Sequence, residues 1–129
     1  MLLQLLIAIQ ACCPHTSDSC EVIITRIIDG DTYVFRQNDE EYTIRLLGLD
    51  CFETRHGKRL EKQAEKAGIS IDSAMTLGKR AKERAINYLL NQKVKIIRDK
   101  HERNFDSYNR LLRHVIVRDS SFINILENK

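Results

Sequence analysis

The chain has 129 residues, of which 43% are hydrophobic and 30% charged, with a single proline and no low-complexity tract. That balance excludes an intrinsically disordered protein and allows one globular domain with one core. The net charge of +3 favours a polyanionic partner such as nucleic acid without requiring one.

Met1 to Ala11 is almost wholly apolar and too short to span a bilayer as a helix. It reads as the hydrophobic part of an export signal over residues 1–19, or as a lipoprotein leader. In the second case the run Ile9-Gln10-Ala11-Cys12 precedes a cysteine that becomes lipidated and attaches the protein to a membrane. Either fate implies a secreted or cell-envelope protein. The domain proper is then expected over residues 20–129, and trimming the first nineteen residues is expected to leave it folded. Cys20 and Cys51 are candidates for a disulfide in an exported chain, but nothing in the spacing brings them together, and two independent thiols are the preferred reading. No cysteine pair has zinc-site spacing, and the four histidines are scattered.

Glu21 to Ile28 is rich in Val and Ile and predicts a first strand, ended by Asp29-Gly30. Two more strands follow, Thr32 to Gln37 and Tyr42 to Leu49, joined by a turn at Asn38-Asp39. Pairing them brings Asp31 towards Asp50 and Glu53. Three carboxylates in one region call for a cation among them, and hard oxygen ligands suit calcium or magnesium. Arg45, set among Ile44, Leu46, Leu47 and Leu49, is a charge in an otherwise apolar strand.

Arg55 to Ser70 is strongly charged and reads as a long exposed segment with room for a short helix. From Asp72 to Leu90 the residues Ala74, Leu77, Ala81, Ala85 and Tyr88 recur at helical intervals, with Ser70, Asp72 or Ser73 available as cap and Asn91 as a left-handed stop. Lys93 to Arg98 and Leu111 to Arg118 predict a fourth and a fifth strand. Phe122, Ile123, Ile125 and Leu126 begin a terminal helix. Arg113 and Arg118 read as surface cations. The whole is an α+β, mainly β chain whose short strands suit a five-stranded barrel capped by helices.

Four motifs carry a more specific signal: Asp29-Gly30-Asp31-Thr32, then Ile44-Arg45-Leu46-Leu47-Gly48-Leu49-Asp50 with Glu53-Thr54, then Leu77-Gly78-Lys79-Arg80-Ala81, and Asp106-Ser107-Tyr108-Asn109-Arg110-Leu111-Leu112. In this order they resemble the staphylococcal nuclease (thermonuclease) family over Val22 to Leu126. The resemblance implies an OB-fold barrel and a monomeric, calcium-dependent nuclease that hydrolyses phosphodiester bonds of DNA or RNA. It implies Arg45, Glu53 and Arg110 as catalytic residues and Tyr108 beside the substrate phosphate. Asp31, Asp50 and the backbone carbonyl of Cys51 are implied as metal ligands. Cys51-Phe52 stands where the family usually has a residue followed by proline, which frees the backbone there. Asn109 replaces a common glycine and is expected to keep the left-handed turn. The terminal helix is short for the family. Two other readings stay open: a catalytically silent OB-fold that binds nucleic acid, and a truncated, inactive remnant.

Overall fold

A computed structural model describes residues 12–118 and 120–127. β1 (Ser19–Asp29), β2 (Thr32–Gln37) and β3 (Glu40–Leu46) are followed by α1 (Lys58–Ala67) and α2 (Ile71–Leu89). Then come β4 (Lys93–Ile97), β5 (Leu111–Val117), the two-residue β6 (Ser120–Ser121) and α3 (Phe122–Glu127).

The barrel closes because β1 is long enough to serve two neighbours. Its first half, Ser19 to Ile23, pairs with β4, and its second half, from Ile24 to Asp29, pairs with β2. Register irregularities after Ile24 and after Ile27 bend the strand between and along these halves. Asn38 and Asp39 both adopt positive φ, as a tight two-residue turn between β2 and β3 requires. β3 then meets β5 in parallel through Ile44, Arg45 and Leu46, which completes a closed, mixed five-stranded barrel of the expected OB type.

Alternation fills its interior. Along β5, Leu111, Val115 and Val117 point inward, and Ile24, Tyr33, Phe35, Ile44, Val94 and Ile96 come from the other strands. α2 contributes Ala85 and Leu89, and Phe122 of α3 meets the Tyr33 ring edge-on at 6.0 Å. α2 starts at the Ser70 cap, whose hydroxyl accepts from the Ser73 N–H, and Asn91 and Asn109 take the expected left-handed conformation.

Three expectations are corrected. The charged stretch after Arg55 contains a ten-residue helix, α1, because Leu60 and Ala64 bury against Ala74 of α2 with Phe52, Ile69 and Met75 around them. Cys20 is not an independent thiol but is bonded to Cys12, with their Cα atoms 5.7 Å apart, while Cys51 is free. Arg113 is buried, not a surface cation. Its guanidinium donates to the carbonyls of Pro14 and Leu112 and to the backbone and side-chain oxygens of Asn104.

Contacts also extend to what precedes the barrel. Met1 to Ala11, the apolar part of the expected leader, lie outside the described residues, but contacts with the barrel reach back to Cys12. Gln37 donates to the Cys12 carbonyl, Asn104 to that of His15, and the His15 ring lies against Tyr42 and Phe105. Residues 12–18 are therefore bonded to β2, to β5 and to the segment before it, which is more than a start near Glu21 anticipates. Among the described residues no helix is long and apolar enough to cross a membrane.

Candidate functional site

The turn between β1 and β2 places Asp31 beside the β2–β3 hairpin, in which Thr32 faces Arg45. Asp31 is buried and its carboxylate is fully engaged: Oδ1 accepts from the Thr32 hydroxyl at 2.8 Å, and Oδ2 from the Cys51 N–H at 2.7 Å. Arg45 reaches the same Oδ2 through Nη1 at 2.6 Å and Asp50 through Nη2 at 2.7 Å, while Nη1 also donates to the Leu49 carbonyl. The fork of Arg45 thus stands between two of the three predicted carboxylates. The third, Glu53, pairs instead with Arg59 at 2.8 Å, and Arg59 also approaches Asp50 at 3.6 Å. The carboxylates do gather as the sequence suggests, with guanidinium groups supplying the positive charge between them.

The loop from Asp50 to Thr54 has no regular structure, and three contacts fix it. Phe52 packs into the small cluster between α1 and α2. Gln63 of α1 uses both ends of its amide, accepting from the Glu53 N–H at 2.9 Å and donating to the Cys51 carbonyl at 3.1 Å. Gly78 lets α2 press on the loop, since a Cβ there would fall 2.4 Å from the Phe52 carbonyl oxygen. The backbone freedom expected without a proline is removed by these contacts. Gly30 plays the matching part below, where a Cβ would meet Ala81 and the Cys51 sulfur. Sequence reasoning missed Gln63 and Arg59, and it placed Asp106 within a motif without giving it a role; for Gln63 the available signal was a polar residue at helical spacing between Leu60 and Ala64.

On the opposite wall, Asp106 organises the turn before β5. It accepts from the N–H groups of Tyr108 and Arg110 and from Nε of Arg110. Burial alone would raise Asp106, but these bonds outweigh it and hold its carboxyl below the usual range. The Arg110 guanidinium lies 5.2 Å from the Tyr108 ring centre. With Nε committed to Asp106, the two terminal nitrogens of Arg110 are left for another acceptor. Arg45, Asp50, Arg59, Tyr108 and Arg110 line one open cleft of about 490 Å³.

Electrostatics on the acidic side are uneven. Burial raises Glu53 above the ordinary carboxylate range, with the charge of Asp29 adding to it and Arg59 opposing. Burial likewise raises Asp29, against the hydrogen bond from the Thr54 hydroxyl and with the charge of Asp31. The Cys51 thiol is pushed up to about 12 by burial and by Asp31. It stays protonated at neutral pH, so Cys51 could offer a cation only its carbonyl oxygen.

Among the described residues no group of three or more His, Cys, Asp or Glu side chains is arranged to hold a metal ion. Asp31, Asp50 and the Cys51 carbonyl nevertheless fit calcium in kind. All are hard oxygen donors, and they stand in an acidic neighbourhood in which Asp31 and Asp50 share Arg45, Glu53 pairs with Arg59, and Asp29 feels the more distant charges of Lys82 and Arg55.

A family model described as staphylococcal nuclease homologue matches residues 43–127. That span runs from β3 to α3 and includes Arg45, Asp50, Glu53, Tyr108 and Arg110, while Asp31 precedes it. No curated protein matches the chain.

Proposed function

Because the chain belongs to the staphylococcal nuclease homologue family, we propose that it hydrolyses phosphodiester bonds of DNA or RNA in a calcium-dependent reaction in the cleft between Arg45 and Arg110. The observation that carries this reading is the convergence of both arginines, Asp50 and Tyr108 on one cleft, with Glu53 held beside it by Arg59.

A phosphodiester already carries a negative charge, and in-line attack adds more to the phosphoryl oxygens. Arg110, steadied by Asp106, directs its terminal nitrogens at those oxygens; on the other wall Arg45, whose terminal nitrogens are held by Asp31, Leu49 and Asp50, contributes its positive charge. Glu53 accepts a proton from, or orients, the attacking water; its raised pKa makes it a stronger base than an ordinary glutamate. Calcium held by Asp31, Asp50 and the Cys51 carbonyl would supply further positive charge to the phosphate.

The Cys12–Cys20 bond supports an oxidising compartment, hence the secreted or cell-envelope location. It uses the sulfur that lipidation would need, so the two fates of Cys12 exclude each other. An exported protein without a lipid on Cys12 is the reading we carry forward.

The direct test is cleavage of single-stranded DNA and RNA with calcium and with a chelator. Calcium-dependent cleavage is expected; salt-sensitive binding with no cleavage in either condition would favour a silent binding protein. Calcium together with a nucleoside bisphosphate is also expected to raise the melting temperature by mass action on the folded state. Gln63→Ala is expected to lower turnover about ten- to a hundredfold through misplacement of Glu53, with little change in melting temperature because Gln63 is half-buried at the surface. Equal turnover in wild type and variant would remove Gln63 from the account.

A further inference from the structure

α1 separates its charges by face. Arg59, Lys62 and Lys66 follow one another at intervals of three and four residues and so stand along one flank, whereas Glu61 and Glu65 share another. Leu60 and Ala64 set the inward face. Arg59, at the start of the basic flank, pairs with Glu53 and lines the cleft with Arg110, and Lys62 and Lys66 continue the flank from it as exposed residues. Asp50 also borders a second depression of about 320 Å³, lined with it by Phe52, Gln63 and Lys66. Lys62 and Lys66 pair with no carboxylate among the described residues. One aromatic ring of the cleft, Tyr108, is 73% exposed, while half-buried Phe52 borders the depression beside Lys66.

We propose that the Arg59–Lys62–Lys66 flank of α1 binds the backbone phosphates of a single-stranded nucleic acid that extends from the cleft, with Arg59 exchanging Glu53 for a substrate phosphate. This rests on the nucleic-acid reading above and deepens it. A spaced row of cations tracks a phosphate backbone, and the exposed Tyr108 ring receives only an unstacked base, which a duplex does not offer. The exchange is undemanding. Arg59 is 51% exposed, and an ion pair in that setting is held weakly. A phosphate that takes Arg59 also frees the Glu53 carboxylate, so strand binding would ready the base.

The test is a fluorescence-anisotropy titration in chelator, with a labelled single strand roughly twelve nucleotides long, the matching duplex and a dinucleotide, from about 50 to about 200 mM salt. Lys62→Ala/Lys66→Ala is expected to lower the slope of log affinity against log salt by about 1.4 for the single strand, from about 0.7 per lost phosphate contact. Adding Arg59→Gln should lower it by about 0.7 more. The dinucleotide should bind equally to wild type and to the lysine variant, and melting curves should coincide for those two proteins. If wild type binds the strand and the lysine variant keeps the same slope, α1 is not the strand path and the nuclease reading is untouched. If the duplex shows the same dependence on these lysines, the single-strand assignment is wrong. If wild type binds no nucleic acid at all, both readings fall together.

Discussion

Glu53→Gln is expected to lower the turnover of nucleic-acid cleavage by at least about 10²-fold, the scale of losing a general base. Glutamine keeps the size of the side chain and its capacity to meet Arg59, so the loop should hold its place through Gln63, Phe52 and Gly78. What is lost is the basic oxygen. Because burial raises Glu53, with Asp29 adding to the effect, the acid limb of the wild-type rate profile should lie above the pH at which an ordinary glutamate titrates. The sign is fixed by the ionised form being the active one: rate falls as pH drops through that raised pKa. Arg59 opposes the shift, so Arg59→Gln should move the limb to still higher pH. Arg110→Ala should also reduce turnover about 10²-fold, as for a single oxyanion donor, and should weaken substrate binding too. Arg118, exposed at the end of β5, is the suitable control, whereas Arg113 is not. Small, equal effects from the Glu53, Arg110 and Arg118 substitutions would dismiss the site and leave nucleic-acid binding without chemistry.

Arg113→Ala is expected to cost about 3 kcal/mol or more of stability, with little direct effect on the cleft. The guanidinium is 1% exposed and satisfies carbonyls from three separate residues together with the Asn104 side chain. Removing it takes this donor from the Pro14 and Leu112 carbonyls and the Asn104 side chain, while the Asn104 carbonyl keeps the Leu112 N–H; each acceptor left buried and unpaired costs about 1–3 kcal/mol. Arg113→Met fills the space without the donors and should recover only part of the loss. Urea denaturation decides: the midpoint should fall with the slope unchanged, and a loss below about 1 kcal/mol would show that water replaces the guanidinium. The same contacts alter what trimming should do. A chain that starts at residue 20 loses the Pro14 and His15 carbonyls that Arg113 and Asn104 use and also the Cys12–Cys20 bond. It should melt at a lower temperature than the chain from residue 12, contrary to the expectation from the sequence.

Local signals carried most of the architecture. The Val and Ile run of β1, the Asn38-Asp39 turn, the spacing of Ala74 and Ala85 on α2 and the Asn91 stop are each decided within a few residues, so they could be read directly. Arg45 drew attention as a charge in an apolar strand, and Asp31, Asp50 and Glu53 as carboxylates that the hairpin brings together, whereas Arg110 was marked only by the resemblance of its motif. α1 was not. Leu60 and Ala64 leave an otherwise charged segment, and burial became favourable only when Ala74 and Phe52, from other parts of the chain, arrived to cover them. Arg113 looked like any surface cation because one of its acceptors, the Pro14 carbonyl, lies 99 residues earlier. The parallel closure of β3 on β5, the Gln63 bridge between Cys51 and Glu53, and the fork of Arg45 between Asp31 and Asp50 belong to the same class. A side chain's own type and spacing determine which element it joins, whereas the partner that satisfies a buried polar group is settled only when distant segments meet in the barrel.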